Sequence, residues 1–253
     1  MIRFENVSKR FGTHQVLDDV SLTVPKGRIL FIIGTSGAGK SVLVKHLVGL
    51  IRPDSGRIFL DDLEVTQLSE KALYPVRKRC AMVFQHSTLF DSMTLAENVA
   101  LPLLKHRKLD PETADAEALR RLAQVHMEAS ARRYPADIGD GLRKRVAIAR
   151  ALTLEPEYVI FDEPTTGLDP VAAANVDQLI RSLSADFGVT SIVVSHDLRS
   201  IFKVADRVAM LYQGKVLLDG PPSAFRSTTD PVVRQFIEGR PEGPMRFPRA
   251  RGS

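Results

Sequence analysis

Apolar positions along the chain switch between a period of two and a period near 3.6, and the switches mark out elements. Strand-like alternation runs through residues 2–11 and 15–24, and Pro25-Lys26-Gly27 then makes a turn. Residues 28–34, RILFIIG, form a short unbroken apolar run of the kind a buried strand needs. In residues 40–50, Val42, Leu43, His46, Leu47 and Leu50 recur at spacings of three and four, which predicts a helix. A turn at RPDSG leads to a strand at 57–62, and another strand is expected at 79–85. From about Leu89 to Leu154 the pattern is helical and rich in charge, interrupted at ADIGDG, residues 136–141. Three later runs, 157–164, 188–196 and 207–220, read as strands separated by helical segments. Strands and helices alternating around apolar runs predict a mainly parallel sheet with helices on its faces. Residues 221–240 can hold one or two short helices, and the Pro-, Gly- and Arg-rich residues 241–253 show no pattern of an independent fold.

Composition narrows this picture only a little. At 253 residues there is room for one large α/β domain or a core with a sub-domain. The net charge of +5 suits a phosphate ligand, an anionic membrane surface or nucleic acid, and selects none of them. Cys80 is the single cysteine, which excludes an intrachain disulfide and leaves a small buried hydrophobe as its reading. The first residues lack the apolar stretch of a signal peptide, and no apolar run approaches the ~20 residues needed to cross a bilayer. The chain is therefore expected to be cytosolic, with any membrane association through a partner or a surface contact.

Chemistry enters at GTSGAGKS, Gly34 to Ser41, between a predicted strand and a predicted helix. The spacing is G-x-x-x-x-G-K-[ST]. Glycines let the backbone curl so that several N–H groups point at phosphate oxygens, and the helix N-terminus adds its positive dipole. Gly34, Ser36, Gly37, Ala38 and Gly39 form the cradle, Lys40 can reach the β- and γ-phosphates, and the Ser41 hydroxyl can ligate Mg²⁺. Val42 stands where a second hydroxyl often touches the α-phosphate, so one contact is missing there. Further on, YVIFDEP places Asp162 and Glu163 at the end of an apolar strand, where charge is costly without a ligand or metal. Adjacent residues of an extended chain point to opposite sides, so Asp162 can hold Mg²⁺ while Glu163 faces an attacking water.

The order of these motifs resembles the ATP-binding subunits of ABC transporters over about residues 2–222. Phe11 in KRFG sits where the family stacks an aromatic on adenine, and Gln85 in VFQHS matches its Q-loop residue, a metal and water ligand. Asp162 and Glu163 match the Walker B strand, Asp169 in GLDP the D-loop, and His196 in VVSHD the switch histidine that meets the γ-phosphate. The resemblance implies a P-loop NTPase, RecA-like α/β core with an N-terminal antiparallel β layer. It also implies a helical sub-domain inserted at about 86–154, and a C-terminal extension at 223–253. ATP and Mg²⁺ follow as cofactors. So does a head-to-tail homodimer with each ATP between one copy's phosphate loop and the other's signature segment. No nucleic acid is expected.

The signature segment is where the chain departs from the family. Aligning Tyr134-Pro135 and Arg143-Lys144-Arg145 puts Gly139 at the family's serine, Asp140 at its first glycine and Gly141 at its second. Gly139 has no hydroxyl to donate to the γ-phosphate across a dimer, and Asp140 adds a carboxylate beside an anionic nucleotide. An acid near a helix start can also cap it. The implied outcome is a weak trans contribution and slow or partner-dependent hydrolysis, with the cis half intact. The basic triplet reads as a solvated helix face, with a positive field toward the opposite nucleotide as its second reading.

Finer features resemble the ATPases of Mla-type phospholipid transport: residues 73–103, the GLRKR form of the signature helix, and the ending DPVVRQFIEGRPEGPMRF, which in that subgroup passes onto the neighbouring ATPase. The resemblance implies a permease whose coupling helix docks near Gln85, with lipid-binding periplasmic components in the same system. The chain would then sit on the cytoplasmic face of the inner membrane, held by the permease. Leu89, Phe90 and Met93 are groove residues or core packing on this reading. A small-solute importer, such as one for amino acids, and a weakly catalytic cassette are the alternatives.

Overall fold

The computed structural model describes residues 1–245. Strands β1 (Ile2–Phe11), β2 (His14–Val24), β4 (Ser55–Leu60) and β5 (Leu63–Glu64) form an antiparallel sheet in the order β2-β1-β4-β5. Strands β3 (Ile29–Ile33), β6 (Cys80–Val83), β7 (Tyr158–Asp162), β8 (Thr190–Val194), β9 (Arg207–Tyr212) and β10 (Lys215–Gly220) form a second sheet in the order β10-β9-β3-β8-β7-β6. Every pairing in it is parallel except the β9-β10 hairpin.

Strand alternation divides the interior. Leu30 and Ile32 of β3 face the antiparallel sheet and α1 (Lys40–Leu47), with Ile160, Ile192 and Leu211 beside them. Ile29, Phe31 and Ile33 face the other way, toward α6 (Pro170–Phe187) and α7 (Leu198–Val204). With both faces covered, β3, β7 and β8 are buried along their whole length. A third core lies within α3 (Leu95–Pro102), α4 (Pro111–Gln124) and one face of α5 (Asp140–Leu152). α2 (Glu70–Arg79) leads into β6, while α8 (Pro222–Ser227) and α9 (Pro231–Glu238) close the chain's described part. Among the described residues no helix is long and apolar enough to cross a membrane.

Three sequence expectations shift. The run 207–220 is two strands, because Gln213 (φ 50°) and Gly214 (φ 77°) make a left-handed turn that reverses the chain. The helix expected to 50 ends at Leu47, since Gly49 turns left-handed at φ 68° and leaves Leu50 exposed beyond it. The strand expected at 57–62 ends at Leu60, because Asp61 turns left-handed at φ 56° into β5. Cys80 is buried as expected, and burial pushes its thiol up to about 12.

His46, on α1, carries a consequence for stability. It is 2% exposed, its Nδ1 donates to Ile51 O at 2.8 Å, and its Nε2 has no hydrogen-bond partner among the described residues. Burial lowers its pKa from the ordinary 6.5, so the folded protein keeps it neutral while the unfolded chain protonates. Stability then falls as pH drops below about 6.5, with a slope of up to about 1.4 kcal/mol per pH unit for this one proton. Denaturant melts at pH 7.5 and 5.5 should show that loss, and His46→Asn should flatten it.

Candidate functional site

The carboxyl ends of β3, β6, β7 and β8 lie along one edge of the sheet, and each delivers a candidate residue there. β3 runs into the glycine loop 34–39. At Gly39 (φ 94°) a Cβ would lie 2.7 Å from Leu17 Cδ2 and 2.8 Å from Val16 O, so the loop passes over β2 only with glycine there. Lys40 opens α1 and is nearly buried; its Nζ donates to Gly34 O and Thr35 O, both at 2.9 Å. Burial lowers its pKa, opposed by the nearby charges of Glu163 and Asp162. A cation held this way is ready to exchange two carbonyls for phosphate oxygens. The first turn of α1 carries no acid, which leaves its dipole free for an anion.

Ser41 Oγ donates to Asp162 Oδ1 at 2.7 Å. Among the described residues no cluster of three or more His, Cys, Asp or Glu could hold a metal by itself. Ser41 and Asp162 do offer two adjoining hard oxygens, which fits an ion such as Mg²⁺ that keeps phosphates and waters as its other ligands. Glu163 does not reach its position by strand alternation, as the sequence suggested. β7 ends at Asp162, and Glu163 turns left-handed at φ 54°, its N–H donating to Val194 O at 2.9 Å. A residue held in that region marks a site that the surroundings over-determine. His196 Nδ1 lies 2.8 Å from Glu163 Oε2, and Thr166 Oγ1 donates to the same oxygen at 2.9 Å. Oε1 is thereby the oxygen left for a water.

The glycine loop, Lys40, Ser41, Gln85, Glu163 and His196 line one cavity of about 970 Å³. Its far wall is C-terminal: Gln235, Phe236, Arg240 and Met245. A second cavity of about 330 Å³ lies between Gly37–Val42 and Phe11, His14 and Val16. Phe11 is 48% exposed there, with Lys9 Nζ 5.4 Å from its ring centre. A planar base could stack on that ring and leave its phosphates in the first cavity.

Gly139, Asp140, Gly141 and Asp169 line a separate cavity of about 450 Å³ that shares no residue with the phosphate cavity. Asp140 is not the helix cap the sequence allowed: Gly139 is the N-cap of α5, without a side-chain bond, and Asp140 is the first helical residue. Its carboxylate is exposed, and Arg143 Nη1 sits 3.5 Å from Oδ1. Gly139 lies in ordinary extended backbone with open space where a Cβ would be, while a Cβ on Gly141 would come within 3.1 Å of Ala172 Cβ on α6. A side chain would therefore be tightly placed at Gly141 and free of contact at Gly139. Asp169 Oδ1 accepts from Val171 N and Ala172 N at 2.9 and 3.0 Å, capping α6.

Sequence reasoning missed Thr166, whose only signal is a hydroxyl three residues after Glu163. It also misread Lys144 as part of a solvated face. Lys144 is buried, and its Nζ donates to Gln85 O. Nothing in the local pattern of α5 marks this, because the burial comes from a loop 59 residues earlier in the chain.

The family model described as "ABC transporter" matches residues 17–166. The Escherichia coli K12 protein named intermembrane phospholipid transport system ATP-binding protein MlaF is 37% identical over 247 residues, covering 98% of this chain and 92% of the relative. A Mycobacterium tuberculosis protein named probable ribonucleotide transport ATP-binding protein mkl is 38% identical, covering 96% and 68%. Among solved structures, a dimeric ATP-binding cassette in a post-hydrolysis state with ADP and Pi matches with TM-score 0.81 and 31% identity, over 88% of this chain and 99% of that one. A Clostridium perfringens cassette described as part of an ABC transporter complex matches with TM-score 0.82, 26% identity and 94% coverage of both chains.

Proposed function

This chain belongs to the ABC transporter family as an ATP-binding and ATP-hydrolysing subunit, and from that footing we propose that it powers phospholipid movement between membranes through a partner permease. The observation that carries the lipid reading is the likeness to the phospholipid-transport relative over 98% of this chain. ABC cassettes dimerise and work with membrane permeases; the identity of the partners here is part of the proposal. The permease would hold the chain at the cytoplasmic face of the inner membrane, with lipid-binding periplasmic components in the same system.

The chemistry assigned to the site follows from its groups. The glycine-loop amides and Lys40 bind the β- and γ-phosphates, and Phe11 takes the adenine. Ser41 and Asp162 would hold Mg²⁺, with Gln85 as a third candidate ligand from the same cavity. When bound, the ion neutralises charge on the transferred phosphate. Glu163 Oε1 takes the proton of the attacking water, while His196 and Thr166 hold Oε2 and so fix the carboxylate's orientation. Gly139–Gly141 and the glycine loop line different cavities of the chain, which supports a head-to-tail dimer in which one copy's signature segment meets the other's phosphate loop.

Coupling to the permease is assigned to the loop that follows β6. Asn98, fully buried, accepts from Phe90 N at 2.8 Å and donates to Phe90 O, Met93 O and Thr94 O, which fixes residues 90–94. Phe90 itself stays 50% exposed beside them, as an apolar docking point for a coupling helix. Purifying the complex from membranes through a tag on this chain tests the function. We expect a multi-helix permease and co-purified phospholipid. Recovery with a soluble solute-binding protein and no lipid would replace the lipid reading with that of a small-solute importer.

A further inference from the structure

Residues 195–197 join β8 to α7, and His196 is the middle one. The sheet fixes the strand side of this connection: Glu163 N donates to Val194 O at 2.9 Å and Ser195 N to Ile32 O at 3.2 Å. Asp197 fixes the helix side. It is the N-cap of α7, its Oδ1 accepting from Arg199 N at 2.9 Å, and its own N–H donates to Ser195 Oγ at 3.0 Å. Behind Asp197 lies a further pair of buried polar side chains, Ser200 on α7 and Asp177 on α6. Ser200 Oγ is 2.6 Å from Asp177 Oδ2 and 3.1 Å from Asp197 Oδ2. One turn further along both helices, Arg181 Nη1 donates to Val204 O at 3.0 Å.

Neither Asp177 nor Ser200 lines the phosphate cavity. Asp177 shares the buried face of α6 with Val176, Ile180 and Leu183, where a carboxyl is costly and an apolar side chain would fill the space at less cost. Packing alone therefore does not account for it, and its contacts supply a reason. A hydroxyl has one proton to give, and two carboxyls stand within reach of Ser200. Both contacts are served best when Asp177 carries a proton of its own and donates to Ser200 Oγ, which leaves the Ser200 proton for Asp197. Burial pushes the Asp177 carboxyl up; the bond from Ser200 opposes this, the charge of Asp197 adds to it, and Lys203 opposes it.

We propose that Asp177 and Ser200 are positioning residues that act through Asp197 to hold the His196 ring on Glu163. The contacts run without a gap from α6 to the carboxylate that meets the water. With the cap of α7 fixed, His196 Nδ1 stays 2.8 Å from Glu163 Oε2, and Oε1 keeps its aim. Without Ser200 the strand side of the connection still holds, but the helix side loses its tie to α6. The histidine side chain, already 61% exposed, then swings toward solvent and leaves Oε2 to Thr166 alone. This rests on the roles given to His196 and Glu163 in the proposed function.

The test is steady-state and single-turnover ATP hydrolysis by the full chain. Ser200→Ala should lower kcat about tenfold, the equivalent of one hydrogen bond to a charged group, with KM moving less than about twofold. Asp177→Asn keeps a donor and an acceptor in the same place and should stay within about twofold of wild type. In a His196→Ala background Ser200→Ala should add less than about twofold, because the ring it positions is gone. Where Ser200→Ala alone does not fold, Asp177→Leu combined with Ser200→Ala removes both buried polar partners together and gives the same readouts. An unchanged kcat in Ser200→Ala overturns the proposal. So does a loss that recurs in full in the His196→Ala background, which places the effect in the fold and not at the ring. A loss in Asp177→Asn as large as that in Ser200→Ala overturns the part given to Asp177. If His196→Ala itself leaves kcat at wild type, the role of His196 falls and takes this proposal with it, an outcome distinct from the others.

Discussion

Glu163→Gln should lower ATP turnover by about 10²–10⁴-fold while leaving nucleotide binding close to wild type, the span expected when a general base is removed. The substitution keeps the shape of the side chain and removes its charge and its ability to accept a proton. The phosphate loop, Lys40 and the Ser41–Asp162 pair are untouched, so affinity for ATP has no reason to fall. Fluorescent-nucleotide titration and single-turnover hydrolysis separate the two quantities. The converse variant, Lys40→Met, should lose binding itself, since it removes the side-chain cation that the glycine loop encloses. If Glu163→Gln retained turnover within a few fold, the proton would have to leave by another route and the assignment of Oε1 would fall. Thr166→Ala is a useful companion. It frees one of the two bonds on Oε2 and should cost far less than the loss of the base.

The second large effect should be a gain. Gly139→Ser with Asp140→Gly is expected to raise turnover of the assembled transporter about tenfold or more. A hydrogen bond to a charged group is worth roughly 1.5–3 kcal/mol, and the restored hydroxyl would supply one to the partner's γ-phosphate. Removing the carboxylate also takes away a like charge, which Arg143 at 3.5 Å offsets only from an exposed position. The structure makes the change feasible. Open space surrounds Gly139 where a Cβ would be, and its extended φ and ψ suit a serine N-cap. Stability should move little: glycine and serine caps differ by a few tenths of a kcal/mol, and a first-turn acid is worth roughly 0.3–1 kcal/mol. A change in rate therefore reports the chemistry and not the fold. No increase would mean that these two residues do not limit hydrolysis, and the slow step would lie elsewhere. Gly141→Ser is the contrasting control, because a side chain there meets Ala172 on α6.

What the sequence made legible was local. The phosphate loop could be read because its chemistry lies in eight consecutive residues, with glycines whose backbone role needs no tertiary partner. β3, β7 and β8 could be read because a strand buried on both faces carries an unbroken apolar run, ILFII, YVIF and IVV here. The left-handed turn at Glu163 could not be, since the residue looks like the next position of a strand until Val194 O fixes its N–H. Lys144 looked like surface charge because helix periodicity does not show which loop lies over which face. Asp140 was legible as an acid near a helix start, either a cap or a first-turn charge, and the structure makes it the first-turn charge. The C-terminal wall of the phosphate cavity, at Gln235 and Arg240, has no sequence signal. Residues 246–253, where the sequence expected no independent fold, lie outside the described residues.

The division of the interior has a consequence for how the chain folds. α5 gives Ala147, Ile148 and Leu152 to the core beneath the parallel sheet, and Val146 and Ala149 to the core shared with α3 and α4. Apart from this shared helix, among the described residues only the partly buried Leu89 and Leu179 touch both cores. Two cooperative units therefore share one wall. Opening the α3–α4 unit uncovers half of α5 and leaves its other half seated, so partial unfolding need not spread to the strands that carry the phosphate loop. Local fragility in the α3–α4 unit thereby becomes tolerance in the strands on which the glycine loop is seated.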